Sequence, residues 1–235
     1  MDSQDLIAAS YWSPIKIAAD LILKTITEVV PKYARGRLID IGCGTKPYAH
    51  IFSPYVSSYF GVDFAPTSSH HYGESTKADL FIDGTDTKLP SESFDTVLST
   101  QVLEHVLETD RYIVECYRLL AKGGIGIFTI PFVWQTHAEP NDFFRFTRYA
   151  LEQLFKQHGF RIVELRPIGG AYATVLQTRI ISLHCRELRS LPYRILRKLR
   201  NLALLPYLNW KGLHLDRLFW NDKLCLNYLL IVAKD

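Results

Sequence analysis

Two groups of residues in this 235-residue chain combine types and spacings that could do chemistry. The first is Asp40-Ile-Gly-Cys-Gly44, which follows the apolar run Leu38-Ile39 and is answered by Asp63 at the end of Tyr59-Phe-Gly-Val. Gly42 and Gly44 lack Cβ, so the backbone there can bend sharply and admit a ligand closely. A carboxylate at the end of a second strand can accept hydrogen bonds from both hydroxyls of a ribose. A dinucleotide fingerprint needs a third glycine where this chain has Pro47, so pyrophosphate binding, and with it an NAD-dependent oxidoreductase, is disfavoured. A nucleoside without a pyrophosphate remains.

The second group lies in Thr136-His-Ala-Glu-Pro-Asn-Asp-Phe-Phe-Arg-Phe-Thr147, where His137, Asp142 and Arg145 stand among Phe132, Trp134, Phe143, Phe144 and Phe146. Ionisable groups among aromatics suit a pocket that is mostly apolar with a few orienting polar groups. The alternative to an acceptor site is an Asp142–Arg145 pair that clamps the loop onto the following helix, with His137 solvated. Glu104-His105 adds an imidazole that titrates near neutrality, fit for a general base or for capping the next helix. No metal site is expected. Cys43, Cys116, Cys185 and Cys225 are dispersed, and His70-His71 has no partner at ligand spacing.

These groups need strands to position them. Leu38–Ile41, Tyr59–Asp63, Ala78–Ile82, Phe94–Ser99, Ile125–Ile130, Phe160–Leu165 and Leu226–Ala233 read as seven strands. Helices are expected over 15–30, near 48–56, through Ile113, Cys116, Tyr117 and Leu120, and through Leu151, Leu154, Phe155 and His158. Gly123 and Gly159 are placed to end the last two in a left-handed residue. Residues 64–77 read as loop. Alternating strands and helices imply an α/β fold with a mostly parallel sheet covered on both faces.

The segments Leu38–Thr45, Gly61-Val-Asp63, Leu89–His105 and Leu119-Leu-Ala-Lys-Gly-Gly124 together resemble the class I, Rossmann-like S-adenosylmethionine-dependent methyltransferases of small-molecule type, over roughly residues 36–166. The resemblance implies a seven-stranded sheet with an antiparallel last strand and S-adenosylmethionine as cofactor. It implies methyl transfer to a small-molecule, glycan or lipid-linked acceptor. Asp40, Gly42, Cys43, Gly44, Asp63, Phe64, Asp83, Gly84, Thr85 and Gln101 would hold the donor, Asp83 being favoured beside the adenine. His105, His137, Asp142 and Arg145 would serve the acceptor side. A non-catalytic partner protein on the same fold is the alternative.

The chain divides into an N-terminal helical segment (1–35), the core (36–166), a basic helical insertion (167–223) and the last strand (224–235). It carries a net charge of +3, yet Arg179–Arg200 holds seven basic residues and one acidic residue, Glu187. Leucines interleave at near-helical spacing, interrupted by Pro192. Such a stretch either packs its apolar face on the domain or lies on an anionic membrane surface. Nucleic acid is disfavoured, since Tyr193 is the one aromatic in the run. The polar start Met1-Asp-Ser-Gln-Asp5 and the dispersed cysteines lead to the expectation of a cytoplasmic protein without a secretory signal. Nothing in the sequence points to an oligomeric state.

Overall fold

The computed structural model describes residues 9–65, 76–184 and 191–235, so His70, His71, Cys185, Arg186, Glu187 and Arg189 lie outside the described residues. The elements in chain order are α1 (Lys16–Tyr33), β1 (Arg37–Ile41), α2 (Ala49–Phe52), β2 (Ser58–Asp63), β3 (Leu80–Phe81), β4 (Phe94–Thr100), α3 (Thr109–Leu119), β5 (Leu120–Pro131), α4 (Arg148–Gln157), β6 (Arg161–Ile168), α5 (Ala171–His184), α6 (Leu191–Leu218) and β7 (Asn227–Ala233).

Consecutive buried residues in β1, β4, β5 and β7 arise because successive side chains go to opposite faces and both faces are covered. Ile39, Val97, Phe128 and Val232 pack with Tyr112, Ile113 and Cys116 of α3 and Leu151 and Phe155 of α4. Leu38, Leu98, Ile127 and Ile231 pack with Ile22, Ile26, Val29 and Val30 of α1 and Phe52 of α2. Each such buried side chain contributes about 1.5–3 kcal/mol.

The sheet has seven strands in the order β3-β2-β1-β4-β5-β7-β6. β7 runs antiparallel to both β5 and β6. The chain goes outward from β1 to β2 and β3, then returns to the other side of β1 as β4. In open α/β sheets that reversal is where a ligand crevice opens.

Several boundaries differ from the sequence reading. The helix expected near 48–56 is the single turn Ala49–Phe52, and the third strand is two residues long. Gly123 has the left-handed φ of 73° but lies inside β5, since α3 ends at Leu119 and Leu120 already pairs with Phe94. Pro192 begins α6 instead of interrupting it. The first helical turn has no use for the missing N–H.

α5 and α6 pack on α1 through Ile17, Ala18, Ala173, Leu176, Ile180, Leu205 and Leu208. Buried polar groups fix this arrangement. Asp216 near the end of α6 accepts the Gly170 and Ala173 N–H groups at the start of α5, at 2.8 and 2.9 Å. Gln177 bonds Ala18 N–H (3.1 Å) and the Pro14 carbonyl (2.6 Å). Trp134 packs against this helical cluster and against Ala9, Ile15 and Ala19, joining the segment after β5 to the N-terminal residues. Among the described residues no helix is long and apolar enough to cross a membrane.

Candidate active site

The two glycines of the bend have positive φ, 77° at Gly42 and 50° at Gly44, a region that suits residues without Cβ. A Cβ on Gly42 would stand 2.5 Å from Val102 Cγ2, so the bend after β1 abuts the turn after β4. Asp63, the last residue of β2, accepts the Gly44 N–H at 2.7 Å through Oδ2 and the Phe64 N–H at 2.8 Å through Oδ1. Gly42, Gly44, Asp63 and Phe64 are thus brought together as expected, with one bond on each carboxylate oxygen and lone pairs to spare. The chain also returns over the bend: the Gly44 carbonyl accepts from Lys77 N–H (2.8 Å) and Thr76 Oγ1 (3.0 Å). Lys46 pairs with Asp79, whose Oδ2 accepts the Gly61 N–H at 2.7 Å. Sequence reasoning missed these last contacts, because no single residue type announces them.

The remaining candidates occupy different positions. Gly84 lies where a Cβ would meet Ile41 Cγ2 at 2.8 Å, so the Asp83–Thr85 turn reaches the end of β1. Asp83 Oδ1 is engaged by its own turn, accepting from Thr85 N–H (2.8 Å) and Oγ1 (2.9 Å). Gln101 is tied to Thr129 of β5 through its N–H and its Nε2. The side chains of Asp40 and Cys43 are both buried. Cys43 is buried against Gly61, and burial pushes its thiol pKa up. Asp40 is buried with Oδ2 held by Tyr59 Oη at 2.5 Å and Oδ1 without a partner. Burial raises its pKa to about 7, against the pull of the Tyr59 hydrogen bond.

At the ends of β4 and β5 a second constellation forms. Glu104 and His105 sit in a 3-10 turn, Leu103–His105, and the Glu104 carbonyl accepts the Phe143 and Phe144 N–H groups at 2.9 and 3.2 Å. That anchors the segment after β5 onto the turn after β4. Arg145 forms a bidentate pair with Asp142 at 2.7 and 2.8 Å, and also donates to the carbonyls of Phe144 and Gln135. The clamp therefore exists, but His137 is not solvated beside it. Its ring meets that of His105 edge-on at 4.7 Å, its backbone N–H donates to Asp142 Oδ2 at 3.0 Å, and its Nδ1 lies 3.3 Å from the same oxygen. Asp142 is partly desolvated, yet hydrogen bonds from Arg145 and His137 hold its pKa down at about 2. Burial lowers the pKa of both His105 and His137. Glu104 is fully buried, both of its oxygens lack hydrogen-bond partners, and burial lifts its pKa to about 8.

A glycine bend and a strand-end carboxylate meeting at the switch point of this sheet define a Rossmann-like, nucleoside-binding α/β protein. Residues 39–128 match the family described as Methyltransferase domain, which supports a class I, Rossmann-like S-adenosylmethionine-dependent methyltransferase. A ubiquinone biosynthesis O-methyltransferase of Rhodopseudomonas palustris is 31% identical over 108 residues, which are 43% of this chain and 42% of that protein. The curated relatives are spanned only in part, from 37% to 58% of their length. Two solved structures share the fold. The cyclase SpnF is 18% identical with a TM-score of 0.57, over 92% of this chain and 82% of that one. Phosphoethanolamine N-methyltransferase 2 of Haemonchus contortus, in complex with S-adenosyl-L-methionine, is 18% identical with a TM-score of 0.55, over 92% and 52%.

Proposed function

We propose that this chain transfers the methyl group of S-adenosylmethionine to a hydroxyl of a small-molecule, glycan or lipid-linked acceptor. The observation that carries the donor half is the Asp63 carboxylate bonded to the Gly44 N–H, a pre-set acceptor for two ribose hydroxyls. In this reading Gly42 and Gly44 let the donor approach the backbone, the Asp83–Thr85 turn borders its adenine, and Gln101 borders its methionine end. The orphaned Asp40 Oδ1 behind the bend suits a buried donor-side polar group or water.

The donor brings a sulfonium whose methyl is open to in-line attack. The protein's part is to hold the acceptor oxygen on that line, where proximity accounts for much of the rate. The segment from Phe132 to Thr147 supplies the apolar wall, and the Asp142–Arg145 pair keeps it in place. A hydroxyl must also lose its proton, and the basic atoms on that side belong to Glu104, His105 and His137. Oxygen as the methylated atom is favoured by the names of the O-methyltransferase relatives. Because a cyclase shares the fold, the fold alone does not specify methyl transfer. Incubation with isotopically labelled donor and cell extract tests it, and a labelled product is expected. Donor binding without turnover of any fraction supports a non-catalytic partner protein instead.

A lipid-linked acceptor agrees with docking of residues 179–200 on an anionic membrane surface. Beyond the basic run, α6 exposes Leu202, Tyr207 and Trp210. Flotation with anionic vesicles should show binding that weakens with salt; flotation that is absent or indifferent to salt removes the idea.

A further inference from the structure

We propose that Glu104, His105 and His137 form a binding site for one divalent transition-metal ion. Each residue offers a ligand atom, and the three atoms lie within 4.8 Å of one another. His105 Nε2 is 3.7 Å and His137 Nε2 is 4.0 Å from Glu104 Oε1. In a tetrahedral site with bonds of about 2.0–2.2 Å, ligand atoms stand about 3.4 Å apart, so modest side-chain rotation closes the cluster on an ion.

The groups behind the ligands point the same way. Metal-bound imidazoles usually donate their other ring N–H to a carbonyl or carboxylate. His105 Nδ1 lies 2.7 Å from the Asn141 carbonyl oxygen, which can only accept, so Nδ1 carries the proton and Nε2 a lone pair. For His137, Nδ1 has two neighbours, Asp142 Oδ2 at 3.3 Å and Arg145 Nη2 at 3.4 Å. Nη2 already donates to Asp142 and to the Gln135 carbonyl, which uses both of its hydrogens. Nδ1 thus sits between a carboxylate and a guanidinium, and a metal on Nε2 requires the tautomer protonated at Nδ1, whose proton the Asp142 carboxylate can accept.

Once Glu104 gives up its proton in favour of a bound cation, a carboxylate and two imidazole nitrogens converge on one point. The contacts of 3.7 and 4.0 Å are too long for a hydrogen bond, so a shared proton does not join them. Glu104 is 0% exposed and neither of its oxygens has a hydrogen-bond partner, so its ionised form is costly unless a cation answers it. Two nitrogens and one carboxylate select zinc, iron(II), cobalt(II) or manganese(II) over magnesium and calcium, which prefer all-oxygen shells. Three protein ligands leave a position for an oxygen ligand, water or a hydroxyl compound. The ion would also fasten the segment after β5 to the turn after β4.

The test uses the full chain, stripped with a chelator and titrated with cobalt(II), then with zinc(II) in competition. One equivalent of cobalt should bind with visible d–d absorption and be displaced by one equivalent of zinc. Glu104→Gln and His137→Ala should each weaken cobalt binding at least about 10–100-fold, and Asp142→Asn less. Thermal melts confirm that each variant is folded; if Glu104→Gln is not, His137→Ala and His105→Gln decide. No saturable equivalent in the wild type, or wild-type affinity in the folded ligand variants, overturns the site. Donor binding is measured separately by calorimetry without metal, so failure here and failure of the methyltransferase reading are distinguishable.

Discussion

At the end of β2 the two oxygens of Asp63 are held by backbone N–H groups of Gly44 and Phe64, while beyond β4 the two oxygens of Glu104 are buried with no hydrogen bond at all. Both carboxylates stand at carboxyl ends of neighbouring parts of one sheet, yet their surroundings are opposite. Asp63 is pre-oriented by donors and ready for neutral hydroxyls. Glu104 is enclosed with two imidazoles, a setting in which its ionised form calls for a cation. One region is set for recognition by hydrogen bonds, the other by coordination, and substitutions can separate them.

The largest effect is expected at Asp63. Asp63→Ala removes two charge-assisted hydrogen bonds to a ribose, about 3–6 kcal/mol, so donor affinity should fall at least about 100-fold by calorimetry while cobalt binding stays. Unchanged donor affinity would break the comparison at its better-defined end. Arg145→Ala leaves the Asp142 carboxylate, whose side chain is 4% exposed, without its counter-ion. Unfolding stability should drop by about 2–4 kcal/mol, with donor affinity unaltered in the folded protein; a donor defect would mean the two regions are coupled.

Asp40 sharpens the donor side through pH. Unfolded, it releases its proton near 3.8; folded, near 7, because burial disfavours the charge. The native state therefore holds more protons in that window, and stability falls as pH rises through it, by at most about 1.4 kcal/mol per pH unit, then levels off. Asp40→Asn should lack this fall when denaturant unfolding is followed from pH 4 to 8. A parallel pH dependence in the two proteins counts against a buried, uncharged Asp40. The smallest change is Gly42→Ala. The φ of 77° and the 2.5 Å approach to Val102 make it unfavourable by at least about 1–2 kcal/mol, read as a lower Tm and weaker donor binding.

The same contrast explains what could be read before the fold was known. Asp40–Gly44 and Asp63 carry their meaning locally, because a bend and a strand end are properties of a few consecutive residues. Seven strands and the antiparallel last one followed from apolar runs and the family resemblance. The one-turn α2 and two-residue β3 were over-read, since short apolar runs resemble longer elements. The cluster beyond β4 was illegible as a metal site. Glu104 and His105 come from one turn and His137 from another segment, and no ligand spacing within one segment announces them. Only tertiary placement shows that Glu104 has lost its water and that His137 has turned toward it.

The position of β7 has a consequence for biosynthesis. All seven of its residues are buried, and it separates β5 from β6 although it follows both in the chain. As the polypeptide emerges from the ribosome, β5 and β6 each present an open edge until residues 227–233 arrive to fill the gap. Such edges invite pairing with other chains. Stalling before this segment, or its loss, should therefore yield aggregates, with chaperone demand concentrated in the interval before it is made.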